Sequence, residues 1–249
     1  MRDVISKEEI TKHLHTDAIP VYVFDEIDST NRFAKSLTDD IALVVANSQS
    51  SGRGRLNRSF YSPKDSGIYM SLKMPVDDLY NNIPFVTTIC AVAVHQAIKA
   101  LFNIDCGIKW VNDIYIGNKK VSGILCEVCD CTHTVIGIGI NFYPSSLPED
   151  ITHIATHLTT YPSSVTRCDL IGAICNNIYT LIKKLPNTDF MDYYKSHSCV
   201  IGKNVLCIQG DNSFSAVATD IDSFGGLIVK TPDGFKTLST GEITLRVKD

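Results

Sequence analysis

No apolar run in this 249-residue chain approaches the roughly 20 residues that a membrane-spanning helix requires. The opening MRDVISKEEI places acidic residues where a secretory signal needs its apolar region, so the cytoplasm is the expected compartment and no membrane partner is expected. There is no long block of like charge, no internal repeat and no low-complexity tract, which leaves an ordinary globular protein. Nor is there a surplus of positive charge. With 23 Lys+Arg against 27 Asp+Glu, the formal net charge is −4 and the pI near 6.0, whereas general nucleic-acid binding favours a basic face. What the chain does have is 44% hydrophobic residues, enough for one large core and a small second module. It also has 9 cysteines, an odd number; in a reducing compartment most should be buried small apolar residues.

The pattern along the chain predicts an α+β fold, a mixed β-sheet with packed helices over residues 1–195, followed by a small all-β module at 199–249. Ser6 and Glu9 have capping-box spacing and start a short helix. PVYVFDEI and ALVVANS read as strands, with a helix between them capped by Ser29 or Thr30. GIYMSLKM is a further strand. Residues 84–102 form the clearest helix, mostly buried, with Thr88, His95 and Lys99 as a narrow polar stripe. GIKWVNDIYIG, KKVSGILCEVCD and HTVIGIGINF read as three strands. A second long helix spans 165–185, its end marked by Lys183, Lys184 and Pro186. NVLCIQG, FSAVATDI, GLIVKT and EITLRV are short strands of the terminal module.

Charge is concentrated in one place. SSGRGRLNRSFYSP, residues 50–63, sets Arg53, Arg55 and Arg58 within six positions. Glycine permits close backbone approach and leaves a loop disordered until something binds, while arginine offers a fork of donors for carboxylate or phosphate oxygens. Taken alone, GRGR is equally a solvated basic loop. It is not a P-loop, which needs Lys-Ser/Thr after its second glycine, and no helix follows it as a dinucleotide site requires. KWVND at 109–113 adds Lys109, Asn112 and Asp113, and Lys120 follows eleven positions after Lys109. On two antiparallel strands joined by a short turn, both lysines can face one cavity. Two lysines and two arginines around one cavity call for a polyanion, against which Asp113 could hold magnesium.

These stretches resemble the biotin protein ligases. DSTN at 28–31, GRGRLNRSF with SP to residue 63, KWVND at 109–113, KVSGILCE at 120–127 and GIGIN at 137–141 occur in that family's order, and the tail ending GEITLRV resembles its closing SH3-like barrel. The resemblance implies an ATP-dependent enzyme that forms biotinyl-5'-adenylate and diphosphate. It then transfers biotin to a lysine of a biotin carboxyl carrier protein, releasing AMP. Magnesium would accompany ATP. The resemblance further implies that Ser29, Thr30, Asn31 and Gln49 bind biotin, with Arg53, Gly54 and Arg55 closing over it and Gly123 and Gly139 lining the floor. Lys120 would hold the carboxylate and Lys109 the phosphates. Asn112, Asp113, Phe60, Asn141 and Arg246 would face ATP. Arg55, Lys109, Lys120 and Asp113 are the expected catalytic residues.

The chain departs from the family pattern at three positions. Asn57 replaces a loop glycine and implies a stiffer loop. Phe60 replaces a tryptophan on the adenine side, keeping a stacking surface but losing area and an N–H donor. Val111 replaces proline. A lipoate- or octanoate-attaching enzyme of the same fold is the alternative, though such enzymes lack GRGR with KWxND in this form. Only about twenty residues precede the first predicted strand, too few for the winged helix by which some relatives bind DNA, so no DNA partner is expected. A homodimer stays open. CEVCDCTH suggests zinc, but Cys129 and Cys131 would share one strand face while Cys126 takes the other, and no second knuckle follows.

Overall fold

The computed structural model describes residues 3–16, 18–75, 83–130, 132–160, 163–209, 211–239 and 243–247. Its centre is a seven-stranded sheet in the order β1-β2-β3-β7-β6-β5-β4. The strands are β1 (Val21–Phe24), β2 (Ala42–Ala46), β3 (Gly67–Pro75), β4 (Gly107–Lys109), β5 (Asp113–Ile116), β6 (Lys119–Val128) and β7 (His133–Asn141). β1 and β2 run parallel, joined through helix α2 (Thr30–Ser36); the remaining neighbours are antiparallel. Such a mixed sheet with helices on it is the predicted α+β architecture. One expected strand differs: GIKWVNDIYIG is the hairpin β4–β5, bent at Trp110, Val111 and Asn112.

Side-chain alternation assigns the two faces. Ile68, Met70, Leu72 and Met74 of β3, and Ile136, Ile138 and Ile140 of β7, enter one large core. That core is closed by α1 (Lys7–His13), α3 (Ile83–Phe102) and α5 (Arg167–Lys183). On the opposite face Ala34 of α2 packs with Val44 and Val135 in a small cluster. Caps fall where the sequence puts them. The Ser6 hydroxyl accepts from the Glu9 N–H, Ser29 accepts from Arg32, and Thr166 and Asp169 form a reciprocal capping box.

α3 is twenty residues long and, by length and composition, apolar enough to cross a membrane, contrary to the expectation that no such run exists. Two-thirds of it is buried in the core, which accounts for its apolarity. Of its predicted polar stripe, Lys99 is exposed but the other two residues are dry. Thr88 and His95 are fully buried. His95 Nε2 lies 2.8 Å from the Cys106 carbonyl and Nδ1 3.0 Å from the Tyr193 hydroxyl, and burial lowers its pKa. All the described cysteines are free, and most are buried. Burial pushes the Cys175 thiol up to about 12 and Cys106 to about 11.

Two short helices, α4 (Glu149–Thr152) and α6 (Phe190–Ser196), had no forecast in the sequence. The terminal module is a five-stranded antiparallel sheet in the order β11-β10-β9-β8-β12. Its strands are β8 (Asn204–Gln209), β9 (Asn212–Ile221), β10 (Leu227–Thr231), β11 (Gly234–Leu238) and β12 (Ile243–Val247). β11 is the strand not anticipated. The module is tied to the main sheet by the Trp110 indole N–H, which donates to the Gly225 carbonyl at 2.9 Å.

Arg167, 1% exposed, anchors the chain's start to the sheet. Its Nε lies 3.0 Å from Asp3 Oδ1, its Nη2 2.6 Å from the Asp3 carbonyl and its Nη1 2.9 Å from Asn47 Oδ1. Removing the carboxylate leaves a buried cation uncompensated. Asp3→Ala is therefore expected to lose about 3–5 kcal/mol. Lys12→Ala, which breaks only the exposed pair with Glu9, should stay within about 1 kcal/mol of the parent. Urea denaturation of the three proteins checks both values.

Candidate active site

Two clefts open on the α2 face of the sheet and meet. The narrower, about 470 Å³, is lined by Ser29, Thr30 and Asn31 of α2, by Gln49, by the arginine loop and by strands β3, β6 and β7. The wider, about 1200 Å³, is lined by the arginine loop, the β4–β5 hairpin, Asn141 and the segment around α4. Gly54, Arg55, Phe60, Asn112 and Lys120 border both.

The floor of the narrow cleft follows from period two. In GIGIN the isoleucines enter the core, so Gly137 and Gly139 face the cleft. A Cβ on Gly139 would stand 2.6 Å from the Phe60 ring, and one on Gly137 would collide with Asn31. In GILCE, Ile124 and Cys126 enter the core while Gly123 and Leu125 face the cleft. Cys129 packs against the small cluster on the far side from Cys126, and no group of three metal-ligating side chains occurs among the described residues.

Lys120 and Gly123 are three apart, which on a regular strand puts them on opposite faces. The register slips here: Ile114 pairs with Ser122 and Tyr115 with Lys120, leaving Val121 as the extra residue of a bulge. The bulge turns both to the cleft, with the Lys120 ammonium 2.7 Å from where a Gly123 Cβ would be and 2.7 Å from Asp113 Oδ1. Lys109 reaches the same cleft from two strands away rather than from the adjoining strand as expected. Its ammonium bonds the Tyr115 hydroxyl at 3.1 Å and lies 4.7 Å above that ring's centre. Burial and the neighbouring Asp113 raise the Tyr115 pKa, so the phenol keeps its proton.

The KWVND bend is held from three sides. Asn112 Nδ2 donates to the Ile124 carbonyl at 2.8 Å, the Tyr194 hydroxyl donates to the Val111 carbonyl at 3.0 Å, and Trp110 is anchored on Gly225. The arginine loop, expected to need a ligand to order it, is bound up by its own backbone. Gly54 N donates to the Arg58 carbonyl at 2.7 Å and Phe60 N to Gly52 at 2.9 Å, with Leu56 left-handed at φ 56°. Arg55 Nη1 donates to Asn112 Oδ1 at 3.1 Å. Burial lowers the Arg55 pKa, and Asp113 counteracts it. Phe60, expected on the adenine side alone, borders both clefts.

Ser29, Thr30, Asn31, Gln49, Arg53, Gly54, Gly123 and Gly139 all line the narrow cleft. Lys109, Asp113 and Asn141 line the wide one, and Asn141 Nδ2 donates to Thr156 O at 3.1 Å. Arg246 sits on β12 opposite Leu206, but its side chain, like that of Asn57, lies outside the described residues. Sequence reasoning missed Tyr69, Gly137, Leu125, Arg58, Tyr61 and Tyr115. Alternation from Gly139 and Asp113 already put Gly137 and Tyr115 on the right face, and Arg58 was the third arginine of the loop.

Residues 23–141 match the Biotin/lipoate A/B protein ligase family and residues 200–246 the Biotin protein ligase C terminal domain. The chain is 33% identical over 261 aligned positions to the bifunctional ligase/repressor BirA of Bacillus spizizenii, covering 97% of this chain and 79% of that protein. It is 25% identical to the biotin–[acetyl-CoA-carboxylase] ligase of Mycobacterium tuberculosis, with 87% and 83% covered. The biotin protein ligase of Aquifex aeolicus, solved in complex with biotin and ATP, superposes with a TM-score of 0.81 at 26% identity, covering 92% of this chain and 99% of that one. The order of motifs, the fold and the two matched regions agree: the chain belongs to the biotin protein ligases of the biotin/lipoate A/B protein ligase family.

Proposed function

We propose that the protein attaches biotin to a lysine of a biotin carboxyl carrier protein in two steps, with residues 1–195 as the catalytic domain and 199–249 as a closing module. The cytoplasm is its proposed compartment. Biotin's carboxylate first attacks the α-phosphorus of ATP, giving biotinyl-5'-adenylate and diphosphate. The acceptor's lysine amine then attacks the acyl carbon, AMP leaves, and an amide remains. The observation that carries this reading is the pair of clefts joined at Arg55, Phe60, Asn112 and Lys120.

The linings differ as the two substrates do. Hydroxyls, amides and bare glycines line the narrow cleft; Arg53, Arg55 and Lys120 are its charged residues and no carboxylate lines it among the described residues. That suits a neutral, hydrogen-bonding head with an anionic tail. The wide cleft presents Arg55, Arg58, Lys109 and Lys120 against one carboxylate, Asp113, which suits a polyphosphate. Where the clefts meet, Lys120 and Arg55 reach both anions, screening their repulsion and holding them for in-line attack. Magnesium arriving with ATP would be held by Asp113, the hard oxygen donor available, and would supply further charge neutralisation at the phosphates. Asp113 is also placed to accept the proton released by the attacking amine. The Phe60 ring and the arginine loop cover the junction and limit hydrolysis of the anhydride.

Exchange of labelled pyrophosphate into ATP is expected only when biotin is present. Exchange supported by lipoate or octanoate and not by biotin would assign the chain to the other branch of its family. Arg55→Gly removes charge-assisted donors worth roughly 1.5–3 kcal/mol. Retention of the adenylate should then fall by about ten- to a hundredfold, with biotin appearing on bystander proteins such as serum albumin. Lys120→Ala should instead suppress adenylate formation. Because Phe60 borders both clefts, Phe60→Ala should raise KM for biotin and for ATP together in steady-state exchange kinetics. A rise for ATP alone would place the ring over the nucleotide only.

A further inference from the structure

Behind the narrow cleft lies a carboxylate with no assigned part in the reaction. Glu127 of β6 accepts from Asn31 Nδ2 at 2.8 Å through one oxygen and pairs with the Lys35 ammonium at 2.9 Å through the other. Asn31 is buried, and its side-chain oxygen accepts from the Ser71 hydroxyl at 2.5 Å. We propose that Glu127 is a positioning residue: it fixes which way the Asn31 amide faces and so sets the donor–acceptor pattern of the narrow cleft. The inference rests on reading that cleft as the biotin site.

An ionised carboxylate only accepts, so the Asn31 nitrogen must face it. Burial alone would raise the Glu127 pKa; the bonds from Asn31 and Lys35 outweigh it and hold the carboxyl below its ordinary value. With its nitrogen on Glu127, Asn31 turns its oxygen to Ser71 and commits that hydroxyl's single proton. Ser71 Oγ is also 2.8 Å from Thr30 Oγ1 and is left with only lone pairs to offer there. Thr30 Oγ1 lies 3.1 Å from Gln49 Oε1, which already accepts from the Thr30 N–H at 2.9 Å. Gln49 Nε2 donates one hydrogen to Ser62 Oγ at 3.0 Å and keeps the other. The amide orientation therefore dictates the proton position of Ser71, while the Thr30 backbone N–H holds the Gln49 oxygen whichever way Asn31 faces. With Asn31 reversed, its nitrogen would meet Ser71, whose proton would turn to Thr30, and Asn31 would offer the narrow cleft the opposite end of its amide.

Gln at position 127 keeps the shape but can present either an oxygen or an amine, which leaves the Leu125 carbonyl, at a longer 3.5 Å from Asn31 Nδ2, as the remaining acceptor that favours the orientation. Calorimetric titration with biotin, without nucleotide, is expected to show Glu127→Gln binding about tenfold more weakly than the parent. In an Asn31→Ala background the same substitution should change affinity by less than about twofold, because the residue acts through Asn31. The KM for ATP should move by less than about twofold. Lys35→Met, which removes the ion pair and leaves the Asn31 bond, should stay within about threefold of the parent. Ser71→Ala, which frees the Asn31 oxygen, should weaken biotin binding and serves if Asn31→Ala does not fold. An undiminished affinity in Glu127→Gln, an equal loss in both backgrounds, or a Lys35→Met loss as large as that of Glu127→Gln would each overturn the inference. A parent that binds ATP and not biotin would instead overturn the reading of the cleft, and the inference with it.

Discussion

Both faces of the seven-stranded sheet must be shielded from water, and the two are shielded differently. One is closed by α1, α3 and α5 over a continuous apolar core. The other carries α2, packed over β1, β2, β3 and β7 and reaching the end of β6 through Glu127. Where α2 ends, the sheet needs a surface that can be bare without exposing large apolar side chains, and Gly123, Gly137 and Gly139 supply it. A side chain at Gly139 would strike Phe60, and one at Gly137 would strike Asn31. The cleft is thus the unfilled half of a sheet face, with its shape set by strands whose other side chains are locked in the core. Such a floor is anchored by the core beneath it, which suits the preorganised site that the proposed reaction needs.

Two irregularities convert this floor into a reactive site. The bulge at Val121 brings Lys120 onto the face of Gly123 and next to Asp113. The KWVND bend, stretched between Ile124, Tyr194 and Gly225, presents Asn112 and Asp113 side by side. The last of these ties belongs to the terminal module, so the position of the bend depends on both matched regions of the chain.

Much of this was legible because it depends on local rules. Caps at Ser6 and Ser29, alternation in GIGIN and GILCE, and the periodicity of α3 and α5 all act over a few residues. What was not legible depends on partners far away in the chain. The β4–β5 hairpin reads as one strand until the sheet demands a bend. The bulge leaves no composition signal, since Val121 is an ordinary strand residue. α3 has the length and apolarity of a membrane span and becomes a core helix only because α5, α6 and β6 surround it. The polar groups on α3 follow the same logic: His95 is tolerable inside only because Tyr193 and the Cys106 carbonyl, distant in sequence or outside the helix, satisfy both its nitrogens.

The cations of the wide cleft explain how an acidic protein can keep such a site without a ligand. Three of the four meet these internal partners: Arg55 an amide oxygen of Asn112, Lys109 the hydroxyl and ring of Tyr115, Lys120 the carboxylate of Asp113. Two of these partners, the Asn112 amide and the Tyr115 phenol, are neutral groups that orient the cation they meet. An arriving phosphate or carboxylate offers more than an amide or a phenol does, and exchange of partners at fixed positions costs little reorganisation. Partial burial sharpens the difference, since Arg55 is desolvated enough to lower its pKa and gains correspondingly more from an anion. Lys120 starts in an ion pair, and releasing it from Asp113 frees that carboxylate at the same moment. Under the proposed reaction, one displacement would therefore free a cation and a carboxylate oxygen at the junction together. One extra strand residue is thus enough to bring together a lysine that borders both clefts and an aspartate of the wide one.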